Sequence, residues 1–250
     1  LPFLTQVRVM PAPKGVVGII SPWNYPFTLS MCDILPAILV GNTVVLRPDQ
    51  QTMWSAIRGL ELLFEAGLTS GVVTMVSGPG SIIGAAVIDE VDYLCFTGST
   101  ATGRIVGAQA GARLIGASLE LGGKNPMIVC ADANLSKFLD IATRACFTSA
   151  GQLCISIERM YIHESIYEKF LVAFNVRVRE LVLGAGVGWG YDVGSLVGPA
   201  QLKRVTQAVA KAVSQGAKIE AGGNHRPDIG PYVFEPTVLS GVTKAMEIST

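Results

Sequence analysis

The chain has 250 residues, half of them hydrophobic and only 15% charged, and its 19 basic and 19 acidic side chains leave a formal net charge of zero. That length suits one large domain or two modest ones with a sizeable core, and no basic run marks a nucleic-acid surface. The apolar excess does not amount to a membrane span: the longest weakly charged stretch, 15–46, is broken by Pro22, Asn24, Pro26, Asp33, Pro36 and Asn42, whereas a spanning helix needs ~20 apolar residues in a row. A parallel sheet buried on both faces, with strands apolar throughout, accounts for the same composition.

The first predicted strand is GVVGII (15–20). It runs into SPWNYPF (21–27), where Pro22 and Pro26 remove two backbone donors and hold the segment extended or turned. Asn24 is held there either as a turn residue or as a side-chain hydrogen-bond donor, and the segment alone leaves both open. A helix over 28–40 leads to the strand NTVVLR (42–47), a helix over 52–66 and the strand GVVTMV (71–76). In SGPGSIIG, Gly78, Gly80 and Gly84 are spaced near, but not on, the dinucleotide fingerprint, and a tight turn explains them as well.

A helix over 80–88 and the strand DYLCF (92–96) follow. In FTGSTATG, Gly98 permits close backbone approach, and Ser99 or Thr100 caps a helix over 100–111. Such a start, with free N–H groups and a hydroxyl, suits a phosphate; an ordinary N-cap is the plainer reading. SLEL (118–121) sets Glu120 in an apolar strand, where an unpaired buried carboxylate is costly. It reads as an outward-facing residue, as an ion-pair partner of Lys124, or as a general acid or base of tuned pKa. ELGGKNP forms a seam and places a boundary between 1–121 and 122–250. Beyond it come the strands PMIVC (126–130) and RMYIH (159–163) and helices over 135–150, 165–182 and 200–214. This alternation predicts an α/β fold built on parallel sheet.

The five cysteines are odd in number and lack a CxxC pair, and there are only two histidines, His163 and His225. That argues against a disulfide framework or a metal site and for a reducing, cytoplasmic setting. Cys32, Cys95, Cys130 and Cys146 lie in apolar runs or on a helix and read as core hydrophobes. Cys154, in the polar stretch SAGQLCIS, alone has the setting of a reactive thiol. The chain opens at Leu1 without Met or a signal-peptide pattern, and is expected to be part of something longer.

Taken together, SPWNYP, FTGST, ELGGKNP and GQLC, collinear across the chain, resemble the aldehyde dehydrogenase superfamily, as do GVVGIISPWNYP and GPYVFEPTVL. Through GQLCISIER the chain is similar to succinate-semialdehyde and broad-specificity aldehyde dehydrogenases. The resemblance implies a Rossmann-like cofactor domain over 1–121 and an α/β catalytic domain over 122–250, both partial, in a protein that forms homo-oligomers. It implies NAD(P)-dependent oxidation of a small aldehyde, succinate semialdehyde among the candidates, to the acid. Cys154 matches the nucleophile, Glu120 the general base for deacylation, and Asn24 the donor that joins the Cys154 N–H at the oxyanion. Gly98 and Ser99 match the pyrophosphate site, and Trp23 and Leu121 the positions beside the nicotinamide ribose and amide.

Arg47, Pro48, Asp49 and Gln50 match the adenosine-ribose loop, where the family's usual sequence is Lys-Pro-Ser-Glu. Gln50 drops the charge that repels a 2′-phosphate, and Arg47 offers a bidentate guanidinium, so the expectation leans to NADP with NAD usable. Tyr25, Leu29, Cys32, Leu153 and Ile155 flank the matched positions as pocket or packing residues. The chain stops before the stretch that carries a second ribose carboxylate and lacks the oligomerisation ribbon, so alone it is expected to aggregate and to be inactive. A CoA-acylating relative would usually do without the deacylating carboxylate, so Glu120 counts against it. A noncatalytic homologue would have lost Cys154 or Asn24, and both are present.

Overall fold

The computed structural model describes residues 6–249, so the opening at Leu1 lies outside them. The chain divides into two compact units between Gly122 and Gly123. The first is built on five parallel strands: β1 (Val16–Ser21), β2 (Thr43–Pro48), β3 (Val73–Met75), β4 (Tyr93–Gly98) and β5 (Gly116–Leu121), in the order β3-β2-β1-β4-β5. The alternation of side chains along β1 explains why it lies at the centre. Val17 and Ile19 enter one core with Met31 and Ile34 of α1 (Pro26–Leu39) and Ala56 and Leu60 of α2 (Met53–Glu65). Ile20 turns the other way, into a second core with Ile88 of α3 (Ala85–Glu90) and Val106 and Ala110 of α4 (Thr100–Ala112).

A strand apolar on both faces needs helices on both, which is the doubly wound arrangement. Leu46, wholly buried on β2, is one of its anchors; truncation to Ala would cost ~2–5 kcal/mol. Gly18 lets β1 lie close against α3, since a Cβ there would come 3.0 Å from Val87. β5 departs from the expected all-apolar pattern: it is an edge strand and is exposed from Gly116 to Glu120.

In the second unit β6 (Asn125–Val129) and β7 (Ile157–Ile162) pair in parallel beneath α5 (Leu135–Phe147) and α6 (Tyr167–Arg179). Phe170 and Phe174 stack at 5.3 Å within this core. α7 (Pro199–Ser214) carries Val209 into a smaller cluster with Leu196 and Phe234. β8 (Lys218–Ala221) and β9 (Val238–Ser240) form an antiparallel pair.

Candidate functional site

In the first unit the predicted site residues gather at one place, the carboxyl ends of the sheet strands. Trp23 and Asn24 follow β1, Arg47 and Pro48 end β2 with Asp49 and Gln50 just beyond, Gly98 ends β4 with Ser99 next, and Glu120 and Leu121 end β5. Crossovers run from β1 outward through β2 and β3, then from β4 to β5 on the other side, so the reversal lies between β1 and β4. Ligands of open parallel sheets bind in the crevice at such a switch point.

Local hydrogen bonds shape each segment. Ser21 and Ser30, both buried, join hydroxyl to hydroxyl at 2.8 Å, and Tyr25 O accepts from Leu29 N at the start of α1, where Pro26 occupies the first turn. Trp23, Asn24 and Tyr25 are thereby held in a bend between two fixed ends, with Asn24 Oδ1 buried. Ser99 caps α4: its Oγ accepts from Thr102 N at 3.2 Å and meets Thr102 Oγ1 at 2.9 Å. At Gly98 a Cβ would come 2.6 Å from the Phe96 ring, and at Gly103 one would displace the end of the Leu121 side chain, 2.4 Å away.

The segment from Arg47 to Gln50 departs from expectation. Arg47 is buried, and its Nη2 donates to Gly78 O at 2.8 Å. It therefore braces the SGPG turn from within instead of standing free as a phosphate fork. Asp49 Oδ1 accepts from Gln51 N at 2.9 Å, closing a local turn. Gln50 is exposed.

Glu120 is exposed rather than sunk in apolar surroundings, and it is paired along the ladder with Thr97. Lys124 pairs with Glu158 instead. A carboxylate that the sequence reading passed over sits nearby: burial first, then the charge of Glu120, pushes the Asp33 carboxyl above the usual carboxylate range.

In the second unit Cys154 is exposed, in a turn closed by Ser156 N donating to Leu153 O at 3.0 Å. The approach to it is backbone-strained: Ser149 (φ 53°), Ala150 (φ 57°) and Gly151 (φ 72°) are all left-handed, at ~1–3 kcal/mol for each non-glycine residue. Gln152 clamps the segment. Its Oε1 accepts from Val197 N at 2.9 Å and its Nε2 donates to Ser149 O at 3.0 Å. Asn125 Nδ2 donates to the carbonyls of Cys154 (2.6 Å) and Ser156 (2.9 Å). Val197 and Asn125 lie far in sequence from the turn they hold, and no local pattern marks them.

Two other cysteines, Cys32 and Cys130, are also exposed, contrary to their reading as core residues. Burial, then Asp33, raises Cys32, and burial foremost pushes Cys95 and Cys146 up to about 12. The groove of about 390 Å³ between Val178, Arg226 and Glu235 contains none of the predicted residues. Among the described residues no cluster of metal-ligating side chains occurs, and no helix is long and apolar enough to cross a membrane.

The model of the aldehyde dehydrogenase family matches residues 5–250. The chain belongs to that family. This aldehyde dehydrogenase chain is 53% identical over 247 residues to a Mycobacterium tuberculosis protein provisionally named succinate-semialdehyde dehydrogenase (NADP+) 2, covering 99% of this chain and 48% of that protein. It is 38% identical to the phenylacetaldehyde dehydrogenase of Pseudomonas fluorescens, covering 93% of this chain and 47% of that one. The NAD+ complex of an aldehyde dehydrogenase from Bacillus cereus superposes with a TM-score of 0.91 at 36% identity, over 95% of this chain and 49% of the other. The chain thus spans about half the length of the relatives it matches.

Proposed function

We propose that the protein oxidises a small aldehyde to its acid, with the first unit holding a nicotinamide dinucleotide and the second carrying the nucleophile. The observation that carries this reading is the convergence of Trp23–Asn24, Arg47–Gln50, Gly98–Ser99 and Glu120–Leu121 at the carboxyl ends of adjacent parallel strands. These residues suit the cofactor. The capped start of α4 offers the helix N-terminus that stabilises a pyrophosphate, Gly98 leads into it past the Phe96 ring with no side chain of its own, and Gln50 is exposed toward solvent beyond β2. The bound dinucleotide would supply the hydride acceptor.

The chain's own residues then divide the work. Cys154 Sγ attacks the carbonyl carbon, and the oxyanion that forms accepts from the Asn24 side-chain amide and the Cys154 N–H. Removing one such donor costs on the order of a hundredfold or more in rate. Once the substrate carbon has lost hydride, the acyl group remains as a thioester on Cys154. Glu120 takes a proton from water, the water oxygen attacks the thioester carbon, and the acid leaves as the Cys154 thiolate is restored. An exposed carboxylate is well placed to reach water. Gln50 and the names of the mycobacterial relatives favour NADP over NAD and succinate semialdehyde as substrate. A panel of aldehydes assayed with both cofactors tests this reading in the full-length protein; oxidation surviving Cys154→Ala would overturn it.

A further inference from the structure

We infer that Asn125 is a positioning residue that sets the backbone of the Cys154 turn. It opens β6 directly before Pro126, which has no N–H to give to the ladder, and the β6–β7 register shifts between these two residues. Where the ladder is interrupted the side chain takes over. Its Nδ2 donates to Cys154 O at 2.6 Å and to Ser156 O at 2.9 Å.

Those two carbonyls bracket the turn that presents the thiol. Holding the plane of the peptide after Cys154 restrains ψ at Cys154, and with it the direction in which Cβ leaves the backbone toward the thiol. The turn needs such a hold, because the three residues from Ser149 to Gly151 enter it in left-handed conformations. Gln152 ties that entrance to Val197, whereas Asn125 reaches the nucleophile's own carbonyl. Only a primary amide carries two hydrogens on one nitrogen in this compact form. Asp, of the same shape, would face both carbonyls with oxygen.

The inference rests on Cys154 being the nucleophile, and the test separates the two claims. Asn125→Asp and Asn125→Ala are made in the full-length protein, with single-turnover hydride transfer, cofactor affinity, thermal stability and the pH dependence of Cys154 alkylation by iodoacetamide measured, Cys130 serving as internal standard. Both variants should lose about a hundredfold in hydride transfer, the scale of a small misplacement of reacting groups, with cofactor affinity unchanged. Asn125→Asp alone should move the alkylation midpoint of Cys154 upward, through the carboxylate placed against the turn. A purely structural role would lower thermal stability and leave the rate of the folded fraction and the midpoint where they are. Folded variants with the wild-type rate and midpoint would overturn the inference. If Cys154→Ala still oxidises aldehyde, the reading of the reaction fails, and the alkylation midpoint alone decides the role of Asn125.

Discussion

Gln50→Glu is the sharpest probe of cofactor choice, because the structure narrows the loop to one deciding side chain. Arg47 is buried and engaged with Gly78 O, and Asp49 is turned onto Gln51 N. Gln50 remains, exposed at the end of the loop. A carboxylate there would accept from the ribose hydroxyls and repel a 2′-phosphate. A hydrogen bond to a charged group contributes ~1.5–3 kcal/mol, or roughly ten- to a hundredfold in affinity. Because residue 50 is exposed and its field is screened by salt, the lower end applies, about tenfold at physiological ionic strength. The assay is kcat/KM for NAD and NADP in wild type and variant. Wild type should favour NADP and the variant should swing toward NAD by about that factor. A wild type that strongly prefers NAD, with no swing in the variant, would refute the reasoning.

Other changes test the remaining parts of the site. Ser99→Ala removes the cap of α4 and should cost about 1 kcal/mol of stability in denaturant titration; an unchanged midpoint would mean that the cap is idle. Iodoacetamide should label Cys154 ahead of Cys95 and Cys146, whose thiols burial holds up to about 12, and peptide mapping reads the order directly. Asp33 binds its proton more tightly folded than unfolded. Its contribution to stability is therefore greatest below the unfolded carboxyl value and is lost as pH rises through the folded one. Asp33→Asn should accordingly raise the Tm at neutral pH, a gain that fades toward about pH 4; the opposite trend would mean that the carboxylate is favourably paired.

Legibility in the sequence followed the range of the interactions involved. β1, β2 and β4 could be read because each is a continuous apolar run with turn residues at its ends, and the family motifs fall at their carboxyl ends. β8 and β9 passed unread: four and three residues long, they are held by each other. The helix expected over 135–150 stops at Phe147 because Ser149 and Ala150 turn left-handed, which neither residue type announces. The helix expected over 80–88 begins as a π turn at Gly80 before α3. At the site, Arg47 meets Gly78 across 31 positions, Lys124 meets Glu158 across 34, and Asn125 meets Cys154 across 29. No local pattern encodes such pairings. The exposure of Glu120 likewise follows from β5 lying at the sheet edge, a property of strand order and not of SLEL.

The proposed reaction turns on a thioester carried on Cys154 and cleared by Glu120. The most direct test is rapid-quench mass spectrometry of the full-length Glu120→Gln variant mixed with succinate semialdehyde and NADP. An acyl adduct mapping to Cys154 should form in a burst with reduced cofactor and decay slowly. Wild-type turnover with no adduct on Cys154 would contradict it.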